Sequence, residues 1–184
     1  MIVALVDLYR LKCWFDISDT APFCYNRANN LFIGFWDAIV ALHNIVVAAE
    51  SLGLGTCYMG GILSMNIKEI FDVPEYVFPA GMVSLGYPEH IPDLTMRLPL
   101  EAVVHRNKYR LPSNDDLREG YSEREGVWGN VSEKLKERLT EQGIFSIPQA
   151  IAVQKYSAAV AKEQCKGIEA NLRRSGLVLS DDQE

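Results

Sequence analysis

Residues 31–49 read LFIGFWDAIVALHNIVVAA, an almost unbroken apolar run of nineteen positions. Nothing else in the chain restricts the fold so strongly. The run is close to the ~20 residues that span a bilayer. Asp37, His43 and Asn44 interrupt its middle, however, and an Asp at mid-membrane costs about 2.5–3.5 kcal/mol on insertion scales. No positive-inside flank sets an orientation either. The run therefore predicts a helix over about Phe32–Leu52 of a protein that does not enter the membrane. A helix apolar on nearly every side is expected to be buried. A chain of 184 residues covers such a helix completely only with help, so a homodimer is expected.

Charge is distributed to match. Residues 1–100 hold 5 Lys/Arg and 10 Asp/Glu, whereas residues 101–184 hold 13 and 14. The first part reads as core, the second as solvated helices. The formal charge is −6 and the pI about 5.1, with no basic stripe of the kind that binds nucleic acid. Cys13, Cys24, Cys57 and Cys165 form no C-x-x-C pair, and His43, His90 and His105 are scattered. Neither a zinc site nor a disulfide scaffold is expected, and a reducing cytoplasm is the default compartment. The apolar opening Ile2–Val6 lacks a basic leader and a cleavage site and does not read as a signal peptide.

Along the chain, Ile2–Val6 predicts a buried strand and residues 16–30 a loop. The long helix stops at Gly53, a left-handed cap. Gly53-Leu54-Gly55-Thr56-Cys57-Tyr58-Met59-Gly60-Gly61 is a glycine-rich turn around a short extended stretch, a composition that permits close backbone approach. A short helix is expected at Asn66–Phe71, a strand at Phe78–Gly86 and another at Glu101–His105. Helices are expected at about 114–121, 130–142 and 149–174, with a frayed tail at Ser180–Glu184. The class is α+β. The charged face of the 130–142 helix reads as solvated i,i+4 pairs.

One block is more specific. Ala48-Ala49-Glu50-Ser51-Leu52-Gly53-Leu54-Gly55-Thr56-Cys57-Tyr58-Met59-Gly60-Gly61 is followed by Pro74, then by Gly81-Met82-Val83-Ser84-Leu85-Gly86-Tyr87-Pro88, and later by Arg97-Leu98-Pro99 through His105. This series resembles the nitroreductase family of FMN-dependent NAD(P)H oxidoreductases, in its C-terminally extended NADPH-type branch. Asp7-Leu8-Tyr9-Arg10 after a strand is similar too.

The resemblance implies a mostly antiparallel central sheet flanked by helices. It also implies a partial core at residues 1–105, with a helical extension at 106–184 packed on the core or on a partner subunit. FMN would lie in clefts at a homodimer interface. NAD(P)H would reduce it, and a nitroaromatic, quinone or flavin acceptor would then take the electrons, in two hydride half-reactions. The flavin carries the chemistry, so no catalytic side chain is expected. Tyr58 and Met59 would wall the flavin. Gly60 and Gly61 would bring backbone N–H groups to it. Arg97 would pair with the phosphate.

Other candidates are weaker. Cys57 would need an activating histidine, and His43 reads as a core or interface residue. Trp14 and Tyr25 read as packing aromatics, and Arg106, Lys108 and Arg110 as solvated charge.

The chain also departs from the pattern. The family's arginine-rich segment ahead of the first strand is not seen before Ile2, and Thr95 stands where the extended branch has a lysine. Each lost hydrogen bond to a charged phosphate removes ~1.5–3 kcal/mol. The chain is therefore expected to be a shortened form of a flavin reductase. Two other readings stay open: a short non-catalytic paralogue that binds a nucleotide or partner, and a dimerisation module built on the same core.

Overall fold

A computed structural model describes residues 1–19, 24–91, 93–94 and 96–177. Thr95 and the tail at Ser180–Glu184 lie outside the described residues. The chain forms two compact units, residues 1–91 with 162–184, and residues 92–161.

In the first unit, β1 (Ile2–Asp7), β2 (Gly55–Met59) and β3 (Val77–Gly86) make an antiparallel sheet of order β1-β3-β2. Ile2 pairs with Val83 and Asp7 with Val77, while Gly55 pairs with Gly86 and Met59 with Met82. The central strand β3 is buried from Val77 through Val83. Its Pro79 has no N–H to give to the ladder, and the register with β1 slips between Ala4 and Leu5, opposite this point.

The expectation of an α+β chain with an antiparallel sheet flanked by helices holds here. Helix α1 (Leu8–Ile17) begins where Asp7 accepts the Arg10 N–H at 2.9 Å, a side-chain N-cap. The sequence pattern gave no helix here, because the segment is short and its apolar positions are mixed with charge.

Helix α2 (Ala28–Ser51) lies on the sheet through Leu31, Leu42, Val46 and Ala49. Contact is close: a Cβ on Gly34 would stand 2.4 Å from Val6, and one on Gly81 would stand 2.9 Å from Ile39. The helix stops in a Schellman arrangement. Gly53 sits at φ +76°, its N–H bonds to the Glu50 carbonyl, and the Leu54 N–H bonds to the Ala49 carbonyl, both at 3.0 Å.

Expected full burial of α2 does not occur within the chain. Phe32, Trp36, Val40 and Val47 form a second apolar stripe and are exposed, Trp36 to 69%. Both faces are apolar, and one sheet covers only one of them. Among the described residues, α2 is the one helix long and apolar enough to cross a membrane by length and composition.

After β2 the chain makes a 3₁₀ turn, Gly60–Ser64, and helix α3 (Ile67–Phe71). Ile62, Ile67 and Met82 pack beneath that turn. Val6, Leu8, Leu31, Phe78, Ala80 and Leu177 form the neighbouring core. Each such Val, Leu, Ile, Phe or Met side chain stabilises the fold by roughly 1.5–3 kcal/mol when fully buried.

In the second unit the strand expected at Glu101–His105 is a helix, α4 (Leu100–Val103). Pro99 opens it, and the Val104 N–H closes it on the Leu100 carbonyl at 2.8 Å. Ala102 lies against a helix: a Cβ on Gly120 of α5 (Asn114–Gly126) would lie 3.4 Å from it, while Leu100 and Val103 are exposed. Ser113 and Asp116 form a capping box at the start of α5. Helix α6 (Glu133–Glu141) follows. The single helix expected at 149–174 is two, α7 (Ile147–Lys155) and α8 (Ala158–Arg174), separated at Tyr156 and Ser157. From Lys162 onward α8 belongs to the first unit.

Candidate functional site

The glycine turn leaves the end of β2. Tyr58 and Met59 are its last strand residues, paired with Val83 and Met82 of the buried central strand. The pairing fixes their backbone while both side chains remain exposed. Tyr58 carries a specific contact: its Oη lies 2.9 Å from Nδ1 of His43 on α2. His43 thus meets Tyr58, and the Cys57 Sγ lies 3.7 Å from the Tyr58 carbonyl. On the same face of β2, two residues earlier, the Thr56 hydroxyl donates to Glu50 of α2 at 2.9 Å.

Gly60 and Gly61 open the 3₁₀ turn. A Cβ built on either would meet nothing within 4 Å, and neither has a positive φ. No neighbour in this chain and no backbone strain therefore requires glycine at these two positions. The free space in front of them is what a flat group brought against the backbone would need. Tyr58, Met59, Gly60 and Gly61 thus form one continuous open ledge.

The floor under the ledge is rigid. Ile62 is fully buried. The Ser64 hydroxyl donates to the Gly61 carbonyl at 3.0 Å, and the Met65 N–H donates to the Ile62 carbonyl at 3.1 Å.

Arg97 lies in the second unit. It lines a cavity of about 510 Å³ with Met96, Leu98, Val103, Arg124, Val127 and Ile147. Arg124 of α5 is thus a second arginine lining that cavity. No spacing rule in the sequence signals this pairing, because the two arginines come from separate elements.

Trp14 stacks on Phe15 at 5.5 Å and lines a cavity of about 760 Å³ between β1, α1 and α2. Tyr25 meets Tyr76 edge-on at 5.1 Å, so it packs against the core. Among the described residues, no group of three or more His, Cys, Asp and Glu gathers in a way that could hold a metal ion.

Comparison with known proteins agrees with the block read in the sequence. The nitroreductase family model matches residues 18–87. The chain is 38% identical over 114 residues to a Cr(VI) reductase of Pseudomonas sp. strain G-1, covering 60% of this chain and 47% of that protein. It is 41% identical over 98 residues to an oxygen-insensitive NADPH nitroreductase of Salmonella typhimurium, covering 52% and 40%. It is 38% identical over 81 residues to an NADPH-type FMN reductase of Bacillus subtilis, covering 43% and 32%. The chain spans about half the length, or less, of the curated relatives it matches.

Among solved structures, a Bacteroides fragilis chain superposes with a TM-score of 0.80 at 24% identity, over 94% of this chain and 68% of that one. The NfrA1 nitroreductase of B. subtilis superposes with a TM-score of 0.71 at 24% identity, over 92% and 68%. The nitroreductase fold is therefore the fold of this chain.

Proposed function

We propose that this chain, which carries the nitroreductase-family segment on a nitroreductase fold, works as an FMN-dependent NAD(P)H oxidoreductase. The observation that carries the proposal is the open ledge Tyr58–Gly61. Its two glycines have no internal reason to be glycine, and they fall within the family match at 18–87. The names of the relatives, NADPH nitroreductase and NADPH-type FMN reductase, support the choice of cofactor and reductant.

Bound FMN would supply the hydride chemistry, accepting electrons from NAD(P)H and passing them to a nitroaromatic, quinone or flavin acceptor. The protein's part is placement. Gly60 and Gly61 would bring the backbone up to the ring and Tyr58 and Met59 would bound one edge of it; Arg97, in the other unit, would offer a guanidinium to a phosphate. NADPH is favoured over NADH by the relatives' names. The four free thiols suit a reducing cytoplasm.

The exposed stripe Phe32, Trp36, Val40 and Val47 supports a homodimer. It is far too apolar for a surface helix, and a second copy of α2 would cover it. The same stripe favours one alternative reading, a dimerisation module without catalysis.

A visible spectrum of the purified chain, followed by NADPH oxidation with a nitroaromatic or a quinone, tests the proposal. A yellow protein with acceptor-dependent turnover supports it. A colourless protein that also fails to retain added FMN removes it. A stable, flavin-free dimer on gel filtration would then leave the dimerisation module standing.

A further inference from the structure

The glycine ledge is held from beneath by a segment more than a hundred residues away in sequence. Asn171 of α8 is 1% exposed, and its amide donates twice: to the Leu63 carbonyl at 2.7 Å and to the Met65 carbonyl at 2.9 Å. Those carbonyls flank Ser64, the last residue of the 3₁₀ turn that begins at Gly60. One helical turn earlier, Gly167 brings the α8 backbone directly onto Ser64. A Cβ there would lie 2.6 Å from the Ser64 carbonyl oxygen and 2.7 Å from its Cβ. Residues 167 and 171 share one helix face, so the face meets the turn at two successive points. Both bonds are partly buried, and they satisfy the buried Asn171 amide while giving the two carbonyls a fixed partner.

The same end of α8 has a second anchor that does not touch the turn. Ser175 is fully buried, and its hydroxyl donates to the Val77 carbonyl at 2.9 Å. Lys68 donates to the Pro74 carbonyl at 2.6 Å and to the Arg174 carbonyl at 3.1 Å.

We propose that Asn171 is a positioning residue for the Gly60–Ser64 turn, so that α8 sets the conformation of the ledge to which the proposed function assigns the flavin. The assignment of the ledge to flavin rests on that function; the clamp itself does not. Asn171 acts through Leu63 and Met65.

Hydrogen exchange of the full chain, read by mass spectrometry on peptides covering residues 60–67, tests the clamp. Asn171→Ala and Asn171→Leu are expected to raise exchange there by about tenfold or more. Ser175→Ala, which loosens the other anchor, is expected to leave that peptide near its starting rate. Equal exchange of residues 60–67 in the Asn171 and Ser175 variants overturns the proposal. The unaltered chain gives an answer that requires no variant to fold. In rising denaturant, residues 60–67 and 167–175 are expected to lose protection together, and loss at 60–67 while 167–175 stays protected overturns the clamp. FMN titration of the same samples is a separate readout. A chain with the expected exchange pattern and no FMN binding keeps the clamp and removes the flavin reading.

Discussion

The Tyr58 hydroxyl and Nδ1 of His43 stand 2.9 Å apart, tying the end of β2 to the exposed side of α2. The bond holds the phenol ring at the edge of the glycine ledge. Tyr58→Phe keeps the ring and removes one exposed hydrogen bond, worth ~0.5–1.5 kcal/mol. FMN affinity should fall by less than about tenfold. Tyr58→Ala removes the ring as well and should cost clearly more. Fluorescence titration of FMN against both variants checks the order, and equal affinities would deny Tyr58 any part in the site.

Gly61→Leu separates a binding role from a structural one. The space a Cβ would enter is empty of this chain's atoms, so the melting temperature should correspond to a change within about 1 kcal/mol. FMN retention should be lost, because the side chain fills the space proposed for the ring. A thermal melt and a visible spectrum of one preparation give both answers.

Gly167→Ala should destabilise, against helix propensity. Alanine normally favours a helix over glycine by about 0.8–1 kcal/mol. Here the methyl would sit 2.6 Å from the Ser64 carbonyl oxygen, and such overpacking typically costs ~1–3 kcal/mol. Urea denaturation should show a lower midpoint than the unaltered chain.

Trp36→Glu and Val40→Glu address the second apolar stripe of α2. Both side chains are exposed within the chain, so the helix should persist by circular dichroism. Placing carboxylates on the face that a second copy would cover should shift sedimentation from dimer to monomer. An unchanged sedimentation coefficient would direct attention to another partner for that face.

The α5 cap should respond to acid. Hydrogen bonds from the Ser113 backbone N–H and hydroxyl hold the Asp116 carboxyl below the usual aspartate range, with Arg110 adding to the effect. A depressed carboxyl stabilises the folded form above its unfolded value, and that contribution is lost as pH falls through the folded value. The protection of amides in the first turn of α5, measured against the intrinsic exchange rate at each pH, should therefore fall in acid and not in mild alkali. Ser113→Ala should flatten the response.

Local signals were legible in the sequence. The aliphatic runs gave β1 and β3, Gly53 gave the stop of α2, and the glycine block gave the ledge with its neighbours Tyr58 and Met59. What escaped depends on partners far along the chain. Glu101–His105 has strand-like residues, yet α5 and not a sheet edge lies beside it. The burial of α2 could not be read from its composition, since apolarity on all sides does not say how many of those sides one chain covers. No motif or spacing in the sequence marks Asn171, and only the fold brings it to the Leu63 and Met65 carbonyls.

That separation has a consequence for synthesis. Asn171 and Leu63 are 108 positions apart. At roughly 5–20 residues per second, a ribosome takes roughly 5–20 s to go from the turn to its clamp. During that interval β2 and the Gly60–Ser64 turn exist without α8 beneath them, whatever the rest of the sheet has formed. The ledge is then among the last parts of the molecule to take its final shape, and a nascent chain stalled before residue 171 would hold the glycine sequence without its geometry.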